Sequence, residues 1–327
     1  MGFSMPVWNR LKDQGAGYVY DLSEALSIVD WQNPGLLHDV SDGPMFIASD
    51  YSGQHRRSSH EAYSFLITTR HAIEKWLPLQ EEFRGRWLPD GRRLSFKQLR
   101  EPVRWRALWP FLDTASRLRG NVVTIMVDCR IKSFMYGGAS AIIEAFPDCF
   151  PAESKAGTVE KMFRISSLIA MIVAGLKKQA QPLFWVSDHD EALETHERRE
   201  QFAMLSSYLV FGLTRWLEPA EVQFRTTEAP GAPLWVEDVA AIPDLIAGAS
   251  CHLSQLLPTF CNTERWVRVL NRNAVSDRRA RAIGDWMATT EGSLRHVLLR
   301  LELDSDELPR TSAQFFSGSH PSRGLVL

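Results

Sequence analysis

Three apolar runs in this chain each stop on an aspartate, and that repeated ending constrains the fold more than any other feature. F-I-A-S-D closes on Asp50, V-V-T-I-M-V-D on Asp128 and L-F-W-V-S-D on Asp188. Short apolar runs bounded by turn residues read as buried strands. Helical patterns lie between them, so the chain reads as α/β, a mixed sheet with helices packed on it. In an open α/β sheet the strand C-termini line the crevice where ligands bind. An acid at such an end is either a turn residue, as D-Y-S-G at 50–53 would allow, or a group that faces something bound.

The periodicity predicts strands over 46–50, 60–68, 92–99, 121–127, 183–186 and 221–227. It predicts helices over 71–83, 102–120, 158–178, 191–213 and 236–257, with Pro102 opening one and Gly120 ending it. Residues 262–303 read as further helices, and the Ser-, Gly- and Pro-rich tail after Pro309 as loosely held. The division expected is an N-terminal extension over 1–40, an α/β domain over 41–260, and C-terminal helices with a flexible tail over 261–327.

Composition narrows the class. With 327 residues, 45% of them hydrophobic, the chain can bury a large core. Cys129, Cys149, Cys251 and Cys261 are widely spaced, which argues against a structural zinc site and against a disulfide framework. A cytoplasmic location is expected. No signal-peptide core is read at the N-terminus, and no apolar run approaches the roughly 20 residues that cross a bilayer, so no membrane is expected.

The net charge is -2, but the charge is uneven. Between Arg84 and Arg119, nine arginines and Lys97 face three acids, with Trp87, Trp105 and Trp109 among them. Guanidinium groups and rings interleaved in this way suit a nucleic-acid groove, where phosphates and bases alternate. They equally suit a solvated helix face over buried tryptophans. Lys97, Arg100, Arg104 and Arg106 are the candidate nucleic-acid contacts, with His55 a further candidate for a phosphate or water.

Carboxylates that cluster without cysteine or paired histidine select hard cations, Mg²⁺ or Mn²⁺. Two such ions roughly 4 Å apart can activate water and stabilise a leaving oxygen of a phosphodiester. Asp50, Asp128 and Asp188 are candidate ligands, and S-D-H-D adds Asp190, with His189 as a possible proton shuttle. A fourth element is A-I-P-D-L-I-A-G-A, where Asp244 and Gly248 share a helix face. Asp244 after Pro243 could equally be a first-turn acid that favours the helix dipole.

This ordered set resembles the ribonuclease H-like superfamily: D-x-S-G after the first strand, acids after later strands, and P-D-L-I-A-G late in the chain. Within it, the pattern is similar to a bacterial family with D-E-S-G on the first strand and A-D-L-I-A-G on a late helix. The resemblance covers about residues 44–257. It implies a mixed sheet in which the first strand, a later strand end and the final core helix each supply a metal-binding Asp. Carried over, these are Asp50, Asp188 or Asp128, and Asp244, with Asp188 preferred for its neighbour Asp190. Tyr51 replaces the family's Glu, and Pro243 its Ala. The expectation is a ribonuclease H-like mixed sheet flanked by helices, with N- and C-terminal helical additions. The expected activity is a metal-dependent nuclease acting on DNA or RNA.

Two rivals stand beside it. One is a catalytically weak module that binds nucleic acid, or a protein through the terminal additions. The other is a glycosyltransferase in which D-H-D holds Mn²⁺ and a diphosphate. Neither G-x-x-x-x-G-K-[ST] nor G-x-S-x-G occurs in the chain, so ATPase and serine-hydrolase chemistry have no motif here.

Overall fold

The computed structural model describes residues 6–11, 17–53, 58–177, 181–188, 191–214, 222–227, 231–254, 275–289 and 292–315. Its elements run α1 (Tyr18–Gln32), β1 (Met45–Ser52), β2 (His60–Thr69), α2 (Arg70–Trp87), α3 (Pro102–Ser116), β3 (Gly120–Asp128), α4 (Gly138–Ala145) and α5 (Ala156–Leu176). They continue with β4 (Leu183–Ser187), α6 (His196–Leu213), β5 (Val222–Thr226), α7 (Leu234–Leu253), α8 (Arg278–Thr289), β6 (Leu294–Leu303) and β7 (Pro309–Phe315).

The seven strands form one mixed sheet in the order β5-β4-β1-β2-β3-β6-β7. Strand β1 is parallel to β4, and β4 to β5. Strand β2 runs antiparallel to both β1 and β3, β3 is parallel to β6, and β7 returns antiparallel to β6. The period of two divides β1 between two cores. Met45 and Ile47 join α1, α5 and α6 on one face, while Phe46 and Ala48 join α2, α3, α7 and α8 on the other. Helix α5 is buried almost all round from Met162 to Leu176, as a central helix must be when apolar on every side.

Local chemistry sets several boundaries. Thr69 caps α2 by accepting from the Ala72 N–H, and Thr195 caps α6 by accepting from the Arg198 N–H, both at 3.2 Å. Pro102 opens α3 as expected. Val7 and Trp8 are tied into the core. The Val7 and Trp8 N–H groups donate to the Asp30 carboxylate at 2.7 and 2.8 Å, and the Trp8 ring fills the space left by Gly175.

Three sequence expectations are corrected. Residues 92–99 are not a strand but an irregular strap ending in a 3₁₀ turn, Lys97–Arg100. Leu94 and Phe96 do point inward, yet the strap's backbone is satisfied by side chains rather than by a neighbouring strand. Arg84 donates to the Arg92 carbonyl, Arg104 to the Arg93 carbonyl and Arg279 to the Phe96 carbonyl. Second, residues 294–303 are strand β6, not helix, because the open edge of β3 offers a backbone ladder that β6 completes. Third, the chain from Pro309 to Phe315 is strand β7. The turn before it is organised by Asp304, which accepts from the Asp306 and Leu308 N–H groups at 2.9 Å. The C-terminal part is therefore two strands that extend the sheet, with α8 the described helix among them.

Candidate functional site at the ends of the parallel strands

The site begins with register. The β1–β4 ladder pairs Ser49 with Ser187, and the Asp188 N–H continues it by donating to the Ser49 carbonyl at 3.0 Å. One step further, Asp50, still within β1, and Asp188, the residue after β4, lie side by side on neighbouring strands, their backbones about 4.8 Å apart. The Thr227 N–H donates to the Ser187 carbonyl at 3.1 Å, so Thr227 ends the same row on β5. Asp50 lies on the face of Phe46 and Ala48, which is the face covered by α7.

Asp244 comes to this row from above. Helix α7 begins nine residues before Pro243 and runs through it, so Asp244 is mid-helix and not a first-turn acid. Part of the residue reaches solvent, but its carboxyl is enclosed by protein and accepts the Phe96 N–H at 2.5 Å. Burial, joined by the negative charge of Asp188, pushes the carboxyl up to about 7, against the pull of the Phe96 N–H, Lys97 and Arg93. Gly248 lies one turn on and is where the Phe96 ring seats; a Cβ there would overlap the ring.

The strap supplies the counter-charge. Arg93 donates to Asp188 at 2.8 Å and to the Thr227 hydroxyl at 3.3 Å, and Thr227 donates to Asp188 at 2.7 Å. Glu237, two turns before Asp244 on α7, stands 3.7 Å from the Arg93 guanidinium, and its buried Oε2 accepts no hydrogen bond. Arg93 and Glu237 were not foreseen as site residues. Arg93 was visible only as one of ten cations, and its partner lies 95 positions away.

The remaining candidates divide. Asp128 is not brought to the others: the register sets it four residues beyond and two strands across from Asp50, roughly 16 Å away. It pairs with Arg130 at 2.6 Å, and although burial opposes ionisation, the Arg130 hydrogen bonds hold its carboxyl below the usual range. Asp190, His189 and His55 lie outside the described residues. Lys97 is exposed beside Asp244, and Arg100 and Arg106 are exposed without an acid partner among the described residues. Arg104 is used internally, paired with Glu101 and bonded to the Arg93 carbonyl. Tyr51 points to the opposite face, away from the acids, where its hydroxyl meets Ser49 and Ser187.

The donors Asp50, Asp188, Asp244 and Glu237 are all carboxylates, the chemistry that suits a hard cation, and Glu237 Oε2 makes no hydrogen bond beside its ion pair with Arg93. Their spacing is another matter: among the described residues, no three His, Cys, Asp or Glu side chains stand close enough to hold a metal ion. No described helix is long and apolar enough to cross a membrane. No protein-family model matches the chain, and no curated protein sequence matches it either.

Proposed function

We propose that the chain is a ribonuclease H-like hydrolase of phosphodiester bonds in DNA or RNA, with Asp50, Asp188 and Asp244 as its working carboxylates. The observation that carries the reading is the register that sets Asp50 and Asp188 side by side on neighbouring strands, with α7 bringing Asp244 near enough to feel the Asp188 charge. An acid on the first strand, one at a later strand end and one on a late helix is the distribution the resemblance implies. Mg²⁺ or Mn²⁺, when bound, would supply the activation of water and the stabilisation of the leaving oxygen. As they stand these carboxylates are too widely spaced to share it, so holding it would require Asp50, Asp188 and Asp244 to close around it, with Glu237 as a further oxygen. For this, Asp188 must release Arg93, which is then free to meet a phosphate. Lys97, Arg100 and Arg106 lie exposed on the same strap and helix for the flanking phosphates.

A second reading, a nucleic-acid or protein-binding module with weak or no cleavage, is favoured by one observation: Arg93 already neutralises Asp188. Calorimetric titration of Mn²⁺ into the wild type and into the Asp50→Asn, Asp244→Asn double variant separates the two, together with cleavage of single- and double-stranded DNA and RNA. Heat and cleavage in the wild type, both lost in the variant, support the hydrolase. Nucleic-acid binding without cleavage in the wild type supports the module.

A further inference from the structure

Beside the acids, on the same sheet face, lies a cleft of about 290 Å³ that the site described above does not use. Helix α7 packs chiefly on β1 and β2 and only lightly on β4, and among the described residues the cleft lies on the β4–β5 side of this face. The floor is Phe46, Phe184 and Val186, and Pro233 and Val236 form the wall. Arg225 also lines it, exposed and without an ion-pair partner among the described residues. The ladder pairs Val186 with Arg225, so the apolar floor and the cation are adjacent. Val186 is two residues before Asp188 and Arg225 two before Thr227, so the cleft ends about 7 Å short of the row of acids.

We infer that this cleft receives one unstacked base of single-stranded nucleic acid, with the Arg225 guanidinium on the adjoining phosphate. Flat apolar walls accept the π-face of any base, and a lone exposed arginine at the edge matches the charge that every nucleotide carries. A base seated there leaves its sugar-phosphate over Asp50 and Asp188. Duplex DNA cannot enter, because its bases are stacked and paired, so the cleft selects single strands or frayed ends. The inference rests on the proposed hydrolase reading and adds the substrate class to it.

The test uses a phosphorothioate ten-mer of thymidylate and a ten-mer of abasic sites, each fluorescently labelled and titrated with full-length protein in Mn²⁺ buffer. The expected result is that wild type prefers the thymidylate ten-mer by ten-fold or more. Ala232 also lines the cleft, and Ala232→Trp, which fills it, should abolish that preference while the abasic ten-mer still binds. Arg225→Ala should weaken binding of both oligomers. Equal affinity of wild type for the two oligomers overturns the base cleft while leaving the hydrolase standing. Failure of wild type to bind either oligomer overturns both.

Discussion

Arg93 and Asp188 form an ion pair at 2.8 Å at the point where the β1 and β4 ends meet helix α7. The pair joins a strap to a strand end and occupies the acid that the proposed reaction needs. Burial works against the Arg93 charge, yet the Asp188 and Glu237 carboxylates hold its guanidinium even more firmly protonated than usual. Arg93 is therefore a competitor for any cation at the site. Arg93→Ala should bind Mn²⁺ about ten-fold more tightly than wild type, roughly 1.4 kcal/mol. Calorimetry reads this directly. Unchanged or weaker Mn²⁺ binding would show that the pair and the cation do not share Asp188.

The pH dependence of stability follows from Asp244. Its folded carboxyl titrates at about 7 against 3.8 unperturbed, so the folded state holds a proton that the unfolded state has lost. Stability from this group is full below pH 3.8 and declines as pH rises to about 7. The loss is of order 2–4 kcal/mol. Asp244→Asn keeps the shape and carries no charge, so in metal-free buffer it should flatten that decline and be more stable than wild type at pH 8. Urea midpoints taken across this range check it. A variant with the same slope as wild type would place the titration elsewhere.

Much of this arrangement was legible in the chain, and the rest was not for identifiable reasons. Asp128 ends β3 and Asp188 directly follows β4 as expected, whereas β1 runs two residues past Asp50 to Ser52, still paired with β2; Gly248 does admit a close approach. Which acids meet was not legible, because register decides it. Asp128 ends the apolar run as Asp50 does, but it lies two strands away and binds its own neighbour Arg130. Strand β6 was hidden because His296 and Arg300 are buried in it, and inward polar residues break the alternation that marks a strand. The strap looked like a strand because Leu94 and Phe96 alternate; its backbone partners are side chains from Arg84, Arg104, Asp244 and Arg279, and no local pattern announces those.

Gly248 holds the strap in place. A methyl group there would overlap the Phe96 ring, which is buried and flanked by the Arg279 guanidinium at 4.4 Å. Gly248→Ala must push Phe96 outward, and the Phe96 N–H that Asp244 accepts moves with it. The expected loss is about 1–3 kcal/mol of stability. Phe96→Ala in the same background vacates the space, so the double variant should lose less than the sum of the two single changes. Additive losses in denaturation would mean that the ring is not what Gly248 accommodates.

The strap is also anchored from below by a buried ion pair. Asp238 is fully buried and accepts from Arg84 at 2.5 and 2.7 Å and from Gln80 at 2.6 Å. Burial pushes the Asp238 carboxyl up, against the pull of Arg84 and Gln80. Arg84 also reaches the Arg92 carbonyl at 2.8 Å, so α2, α7 and the strap meet at one guanidinium. Removing one partner leaves a charge enclosed without compensation. Asp238→Ala should therefore cost about 3–5 kcal/mol, whereas Arg84→Met with Asp238→Leu should recover most of it. Recovery of stability does not restore the hold on the Arg92 carbonyl, so Arg93 loses its fixed position beside Asp188. The double variant should thus fold nearly as well as wild type and bind Mn²⁺ more like Arg93→Ala. Stability measured by urea and Mn²⁺ affinity measured by calorimetry separate these two consequences. Recovered stability with wild-type Mn²⁺ affinity would show that the anchor serves the core alone.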